Sequence, residues 1–194
     1  MEKVLVQACC GPCASVLGVD VSLESFVSAE TRQADNQSKS SRSNSPRHCN
    51  FPNSHLPLTL FYNGDNMDTE QEFGKRLEAV RVVAERLGAG VIVEPYIPHV
   101  FGGCEDCIRH RLCRCARVAR AFGYDAFTTS LTVSPHKDTK MVNRIGREVG
   151  EAEGVRFIEL DLKKKDGFGK SVRASKELGL YRQNYCGCAK SVRQ

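Results

Sequence analysis

LTLFYNGDNMDTEQEFGKRLEAVRVVAERLGAGVIVEPY, residues 58–96, passes from one hydrophobic period to another and back again. Leu58 to Tyr62 is an apolar run of strand length. From Asp68 to Leu87 the period lengthens, and Phe73, Leu77, Val80, Ala84 and Leu87 fall on one helical face. Thr69 and Glu72 form a capping box at the start of that helix, and Gly88 supplies the stop at its end. Val91 to Tyr96 returns to the composition of a strand. Strand, helix and strand in this order imply a crossover between parallel neighbours.

The same alternation continues in both directions. Lys3 to Ala8, Ala126 to Val133 and Val155 to Leu162 read as three more strands, and helices are expected from Cys104 to Phe122, Asp138 to Val149 and Val172 to Leu178. The expected fold is a single-domain α/β protein, with a doubly wound, mostly parallel five-stranded sheet and helices on both faces. The stretch from Thr31 to Pro57 is dense in Ser, Asn, Arg and Pro and has no apolar period, so it reads as a disordered insertion in the first crossover. Within it His48, Cys49 and His55 match no common ligand spacing. Residues 163–194 form a basic, cysteine-containing tail.

At 194 residues and 41% hydrophobic content the chain can bury one real core, while a second domain would be cramped. The start, MEKVLVQACC, has neither a basic leader nor a small-residue cleavage site, and no stretch reaches the roughly 18 apolar residues of a membrane span. A cytoplasmic protein with no membrane partner is expected. Ten cysteines in such a compartment stay reduced, which favours metal binding or catalysis over disulfides. The formal net charge of +5 is concentrated late: residues 163–194 carry +7 and leave −2 for the rest. That asymmetry favours a polyanionic substrate.

In an open α/β sheet ligands bind beyond the carboxyl ends of the strands, where the loops converge. Cys9, Cys10 and Cys13 follow the first strand, Cys104 and Cys107 follow the third, and Tyr185, Cys186 and Cys188 follow the fifth by way of the tail. Three cysteine clusters therefore meet at one edge of the expected sheet. Cys104 and Cys107 open a helix, where the dipole favours thiolate. Cys113 and Cys115, two apart along that helix, point to different faces and read as filler. Six or seven thiols exceed the four that a structural zinc takes; a four-iron, four-sulfur cluster takes four and leaves others for a second metal. Adjacent residues of an extended segment project in opposite directions, so Cys9 and Cys10 are expected to serve two neighbouring sites rather than one ion.

VLVQACCGPCAS, NMDTEQEFGKR, CEDCIRHRL, GYDAFTTSLTVSPHK and GLYRQNYCGCAKS together resemble the cobalamin-independent epoxyqueuosine reductases, the QueH family, over nearly the whole chain apart from the insertion. The resemblance implies a fold of the nucleotide-binding α-hydrolase (HUP-like) group and a 4Fe-4S cluster with a nearby mononuclear metal, iron or zinc. It also implies a tRNA carrying epoxyqueuosine as substrate and an external electron donor. The family's cysteines fall on Cys9, Cys10, Cys104, Cys107, Cys186 and Cys188, with Cys13 a weaker seventh. Tyr185 is a candidate proton donor, and Lys137, Arg182 and Lys163 to Lys165 are candidate contacts to phosphate or base. Two departures affect loop shape: Gly64-Asp65 stands where the family has a proline after the second strand's asparagine, and residues 31–57 lengthen the first crossover. The competing expectations are a tRNA sulfur transferase, a zinc-stabilised RNA-binding module, and a thiol oxidoreductase using Cys104 and Cys107. The first would need a Gly- and Ser-rich phosphate loop where Cys9 to Cys13 stand.

Overall fold

The computed structural model describes residues 2–18 and 58–191. The insertion expected at residues 31–57, with His48, Cys49 and His55, lies outside them. Five strands, β1 (Val4–Ala8), β2 (Leu58–Tyr62), β3 (Gly90–Val93), β4 (Ala126–Thr129) and β5 (Arg156–Phe157), form one sheet in the order β3-β2-β1-β4-β5. Every pairing is parallel, with Val4 set opposite both Leu58 and Ala126. Among the described residues five α-helices accompany them: α1 (Gly11–Ala14), α2 (Glu70–Leu87), α3 (Cys104–Ala121), α4 (Thr139–Glu153) and α5 (Gly167–Glu177).

The two-residue alternation of β1 divides the core between the faces. Val4, Val6 and Ala8 pack with Val80, Val83 and Leu87 of α2, with α1 and α5 together on that side. Leu5 faces the other way, against Ile108 and Leu112 of α3 and Val142 and Ile145 of α4. The capping box of α2 forms as expected at its first half: the Thr69 hydroxyl accepts from the Glu72 amide at 3.2 Å, and Gly88 ends the helix in the left-handed conformation. Gly11 lets α1 approach α2 closely, since a Cβ there would collide with the Ala79 backbone.

Three expected strands are shorter than the sequence implies, and the one expected over 91–96 ends at Val93. The strand expected over 126–133 stops at Thr129, where the Thr129 hydroxyl accepts from the Leu131 amide at 3.1 Å and a single 3-10 turn, Leu131–Val133, follows. Hydroxyl side chains that bond nearby backbone compete with the ladder in this way. Once β4 has turned away, the chain beyond Ile158 has no strand to pair with, so β5 pairs over two residues although Ile158, Leu160 and Leu162 remain buried. The last helix starts five residues earlier than its apolar pattern, at Gly167. Among the described residues, no helix is long and apolar enough to cross a membrane.

Candidate metal centre

The order of the strands puts β1 in the middle, with its crossover to β2 on one side and β4 on the other, so the crevice between the ends of β1 and β4 is the switch point of the sheet. The chain bends at Cys9, and Cys10, with φ −173° and ψ 164°, leads directly into α1. This bend overturns the expectation that Cys9 and Cys10 point apart, which holds only while a strand stays extended. The thiols of Cys9, Cys10 and Cys13 lie within 4.8 Å of one another, and Cys9 and Cys10 are 3.8 Å apart. Cys13 is a full member of this trio. Hydrogen bonds from Cys10 and Cys13 hold the Cys9 thiol well below its usual range, aided by the Arg111 charge and Ser130 against the effect of burial. Cys13 is pushed up by its bonds to Cys10 and Cys9 and by burial. Cys10 is drawn down by Cys13 but pushed further up by Cys9 and by burial, to about 12.

A second group forms around α3 and the tail. Cys104, Cys107 and Arg111 follow at helical spacings of three and four residues, which places them on one face. Burial raises the Cys107 thiol; the Arg111 charge opposes this and the charges of Cys186 and Cys188 add to it, which ties Cys107 to the tail cysteines. The Lys137 ammonium donates to Cys186 Sγ at 3.3 Å. Burial works against the Lys137 charge, yet Cys186 and Cys104 together raise its pKa. Lys137, expected at phosphate or base, therefore faces thiols. Lys163 donates to the carbonyls of Pro135 and Lys137 and so braces the loop that carries it. Cys115 is wholly buried in the core and Cys113 packs against the same cluster, and neither belongs to the trio of close thiols.

The tail is held in place by a buried arginine that the sequence does not single out. Arg76, 2% exposed, pairs with Glu72 at 2.6 Å and donates to the carbonyls of Cys186 (2.9 Å) and Tyr185 (3.2 Å). The Asp68 amide donates to the Gly187 carbonyl at 2.8 Å. Gly187 itself sits at φ +110°, and a methyl group there would collide with the Met67 sulfur. The start of α2 thus holds the Cys186-Gly187-Cys188 turn. Tyr185 donates its hydroxyl to Asp68 at 2.9 Å, and burial together with that bond raises its pKa. The candidate proton donor is occupied by a carboxylate.

A cavity of about 430 Å³ is lined by Cys9, Cys13, Arg111, Lys137 and Cys186. Phe168, Arg182, Gln183 and Asn184 line the same cavity. The Arg182 guanidinium lies over the Phe168 ring at 5.8 Å and donates to the Ser171 carbonyl and the Ser175 hydroxyl. Arg111 and Arg76 both carry a signal in the sequence, each lying four residues after a residue already singled out, Cys107 and Glu72. All nine cysteines of the described residues are free.

Comparison with known proteins places these features in one family. The sequence profile of "Epoxyqueuosine reductase QueH" matches residues 49–194. A Thermotoga maritima protein named epoxyqueuosine reductase QueH is 38% identical over 150 residues, covering 69% of this chain and 78% of its own. One from Dehalococcoides mccartyi is 33% identical over 144 residues, covering 69% and 78%. A Staphylococcus aureus relative of the same name is 27% identical over 214 residues, covering 99% of this chain and 76% of its own. With the profile matching three quarters of its length, the chain belongs to the epoxyqueuosine reductase QueH family.

Proposed function

We propose that this chain is a cytoplasmic oxidoreductase that reduces epoxyqueuosine in tRNA to queuosine. The observation that carries the reading is the meeting of three cysteine clusters and two cations at the switch point of the sheet, in a chain of this family. The donor set fits an iron–sulfur centre: all the clustered groups are thiols, and seven of them exceed one four-cysteine site. Cys9, Cys10, Cys13, Cys104, Cys107, Cys186 and Cys188 would hold a 4Fe-4S cluster and a mononuclear iron or zinc. When bound, the centre supplies electrons one at a time and an electrophilic metal, and an external donor reloads it.

The net reaction takes two electrons and two protons, breaks both carbon–oxygen bonds of the epoxide, forms the ring alkene and releases the oxygen as water. The cavity that Cys9, Cys13 and Cys186 line also holds N–H donors for an oxygen that gathers negative charge, the Lys137 ammonium and the Arg182 guanidinium. Phe168, stacked under Arg182, offers the flat apolar surface that an unstacked base takes. Tyr185, bonded to Asp68, fixes part of the cavity wall rather than giving up its proton. The test is to give reduced, cluster-replete protein a tRNA bearing epoxyqueuosine and follow the nucleoside by mass. Loss of one oxygen is expected; an unchanged mass with a competent reductant defeats the reading.

The tail's charge of +7 makes the tRNA complex sensitive to salt, because each neutralised phosphate releases counterions. Lys163 is committed to the loop of Lys137, so the test is at its neighbours: neutralising Lys164 and Lys165 together is expected to weaken tRNA binding and to lower the slope of log affinity against log salt by about 1 for each phosphate that no longer meets a lysine. The visible spectrum should survive. A salt slope equal to the parent's would remove these lysines from the binding surface.

A further inference from the structure

Arg111 stands apart from the other buried cations. It is 2% exposed, yet its Nε and Nη2 have no hydrogen-bond partner among the described residues. Arg76, buried to the same degree, has a carboxylate and two carbonyls. An unpaired guanidinium in the interior is expensive, and proteins retain one where an anion compensates it. The side chain lines the same cavity as Cys9, Cys13 and Cys186, and its charge acts on Cys9 of one thiol group and on Cys107 of the other. The other cations of that lining are already committed, Lys137 to Cys186, Arg76 to Glu72 and two carbonyls, and Arg182 to Ser171 and Ser175. What Arg111 lacks is therefore an anion that sits between the two cysteine groups and is larger than a single thiolate.

We propose that Arg111 is a positioning residue for the metal centre: its free N–H groups take the negative charge of the thiolate-bound cluster, so that it secures the centre and sets its ease of reduction. This rests on the iron–sulfur reading above. A cluster ligated by thiolates is anionic and gains a further negative charge on reduction, so a fixed cation beside it favours the reduced form. The same cation burdens the metal-free protein, where its Nε and Nη2 have no hydrogen-bond partner among the described residues and only neighbouring thiols face it. Opposite effects of one substitution on the two forms are the signature of such a role, and a residue that only packs would not give them.

The test compares Arg111→Met and Arg111→Lys with the parent, each as the full chain in metal-loaded and anaerobically chelated forms. For Arg111→Met the metal-free Tm should rise by a few degrees. In the loaded form, loss of iron to a chelator should quicken about tenfold, and the midpoint potential should fall by about 59 mV, the equivalent of a tenfold change in a one-electron equilibrium. Arg111→Lys, which keeps the charge, should restore most of the potential. A fall in the metal-free Tm, or iron retention and potential equal to the parent's, overturns the proposal. So does a variant whose only change is weaker tRNA binding, since the missing anion would then be a substrate phosphate. None of the metal readouts uses the substrate, so they stand or fall separately from the mass assay for epoxide reduction.

Discussion

Cys188→Ser and Cys107→Ser are each expected to lose the brown colour of the anaerobically purified protein and to bring reductase activity to background. Both thiols belong to the group joined by Cys186 and Lys137, and the loss of one thiolate from a four-cysteine site leaves a cluster open to solvent and oxidation. Cys10→Ser should act in the same way, because the trio after β1 is packed to within 4.8 Å and a hydroxyl is a poor ligand for iron. Cys113→Ser is the control. It lies against the α3 and α4 core, outside both groups, and should keep full iron and sulfide with a small loss of stability. If Cys113→Ser bleached the protein and Cys188→Ser did not, this division of the cysteines would be wrong.

The second large effect is expected at Arg76. Arg76→Met leaves Glu72, 6% exposed, without its ion-pair partner, at a cost of about 3–5 kcal/mol. In a chain of this size that lowers Tm by something on the order of 10 °C. Arg76→Lys separates two roles. A lysine can keep the charge opposite Glu72, but it cannot also reach the Cys186 and Tyr185 carbonyls with a planar fork. It should recover most of the stability and little of the iron. Gly187→Ala reaches the same end from the other side: its positive φ disfavours any side chain by about 1–2 kcal/mol, and the added methyl pushes the turn away from Met67 and Arg76. Iron content measured beside thermal unfolding decides the matter. Full iron in Arg76→Lys would show that the guanidinium does not hold the tail.

The fold was legible because residues 58–96 change period twice, and the parallel order of the sheet followed from that alternation. The ends of strands were less so. A hydrophobic run records burial, and Ile158, Leu160 and Leu162 are buried; the ladder needs a neighbouring backbone, which β4 withdraws at Thr129. In the site, the cysteines announced themselves by type and spacing. The trio after β1 did not, because the alternation used to separate Cys9 from Cys10 ends with the strand, at Ala8. Arg76 and Arg111 were harder still: on a helix, arginine usually marks a solvated face, and only the packing reveals that these two lie inside.

Cys13 and Cys186 stand 173 positions apart in the sequence, although both line one cavity. While the ribosome is making this chain, Cys9, Cys10 and Cys13 emerge at least 173 residues before Cys186 and Cys188. During that interval the nascent trio offers three close sulfurs to any soft cation in the cell, copper and zinc included. Order of synthesis therefore opposes order of loading. On the iron–sulfur reading proposed above, correct loading has to follow the meeting of both groups, and a species metallated before it would carry the wrong metal.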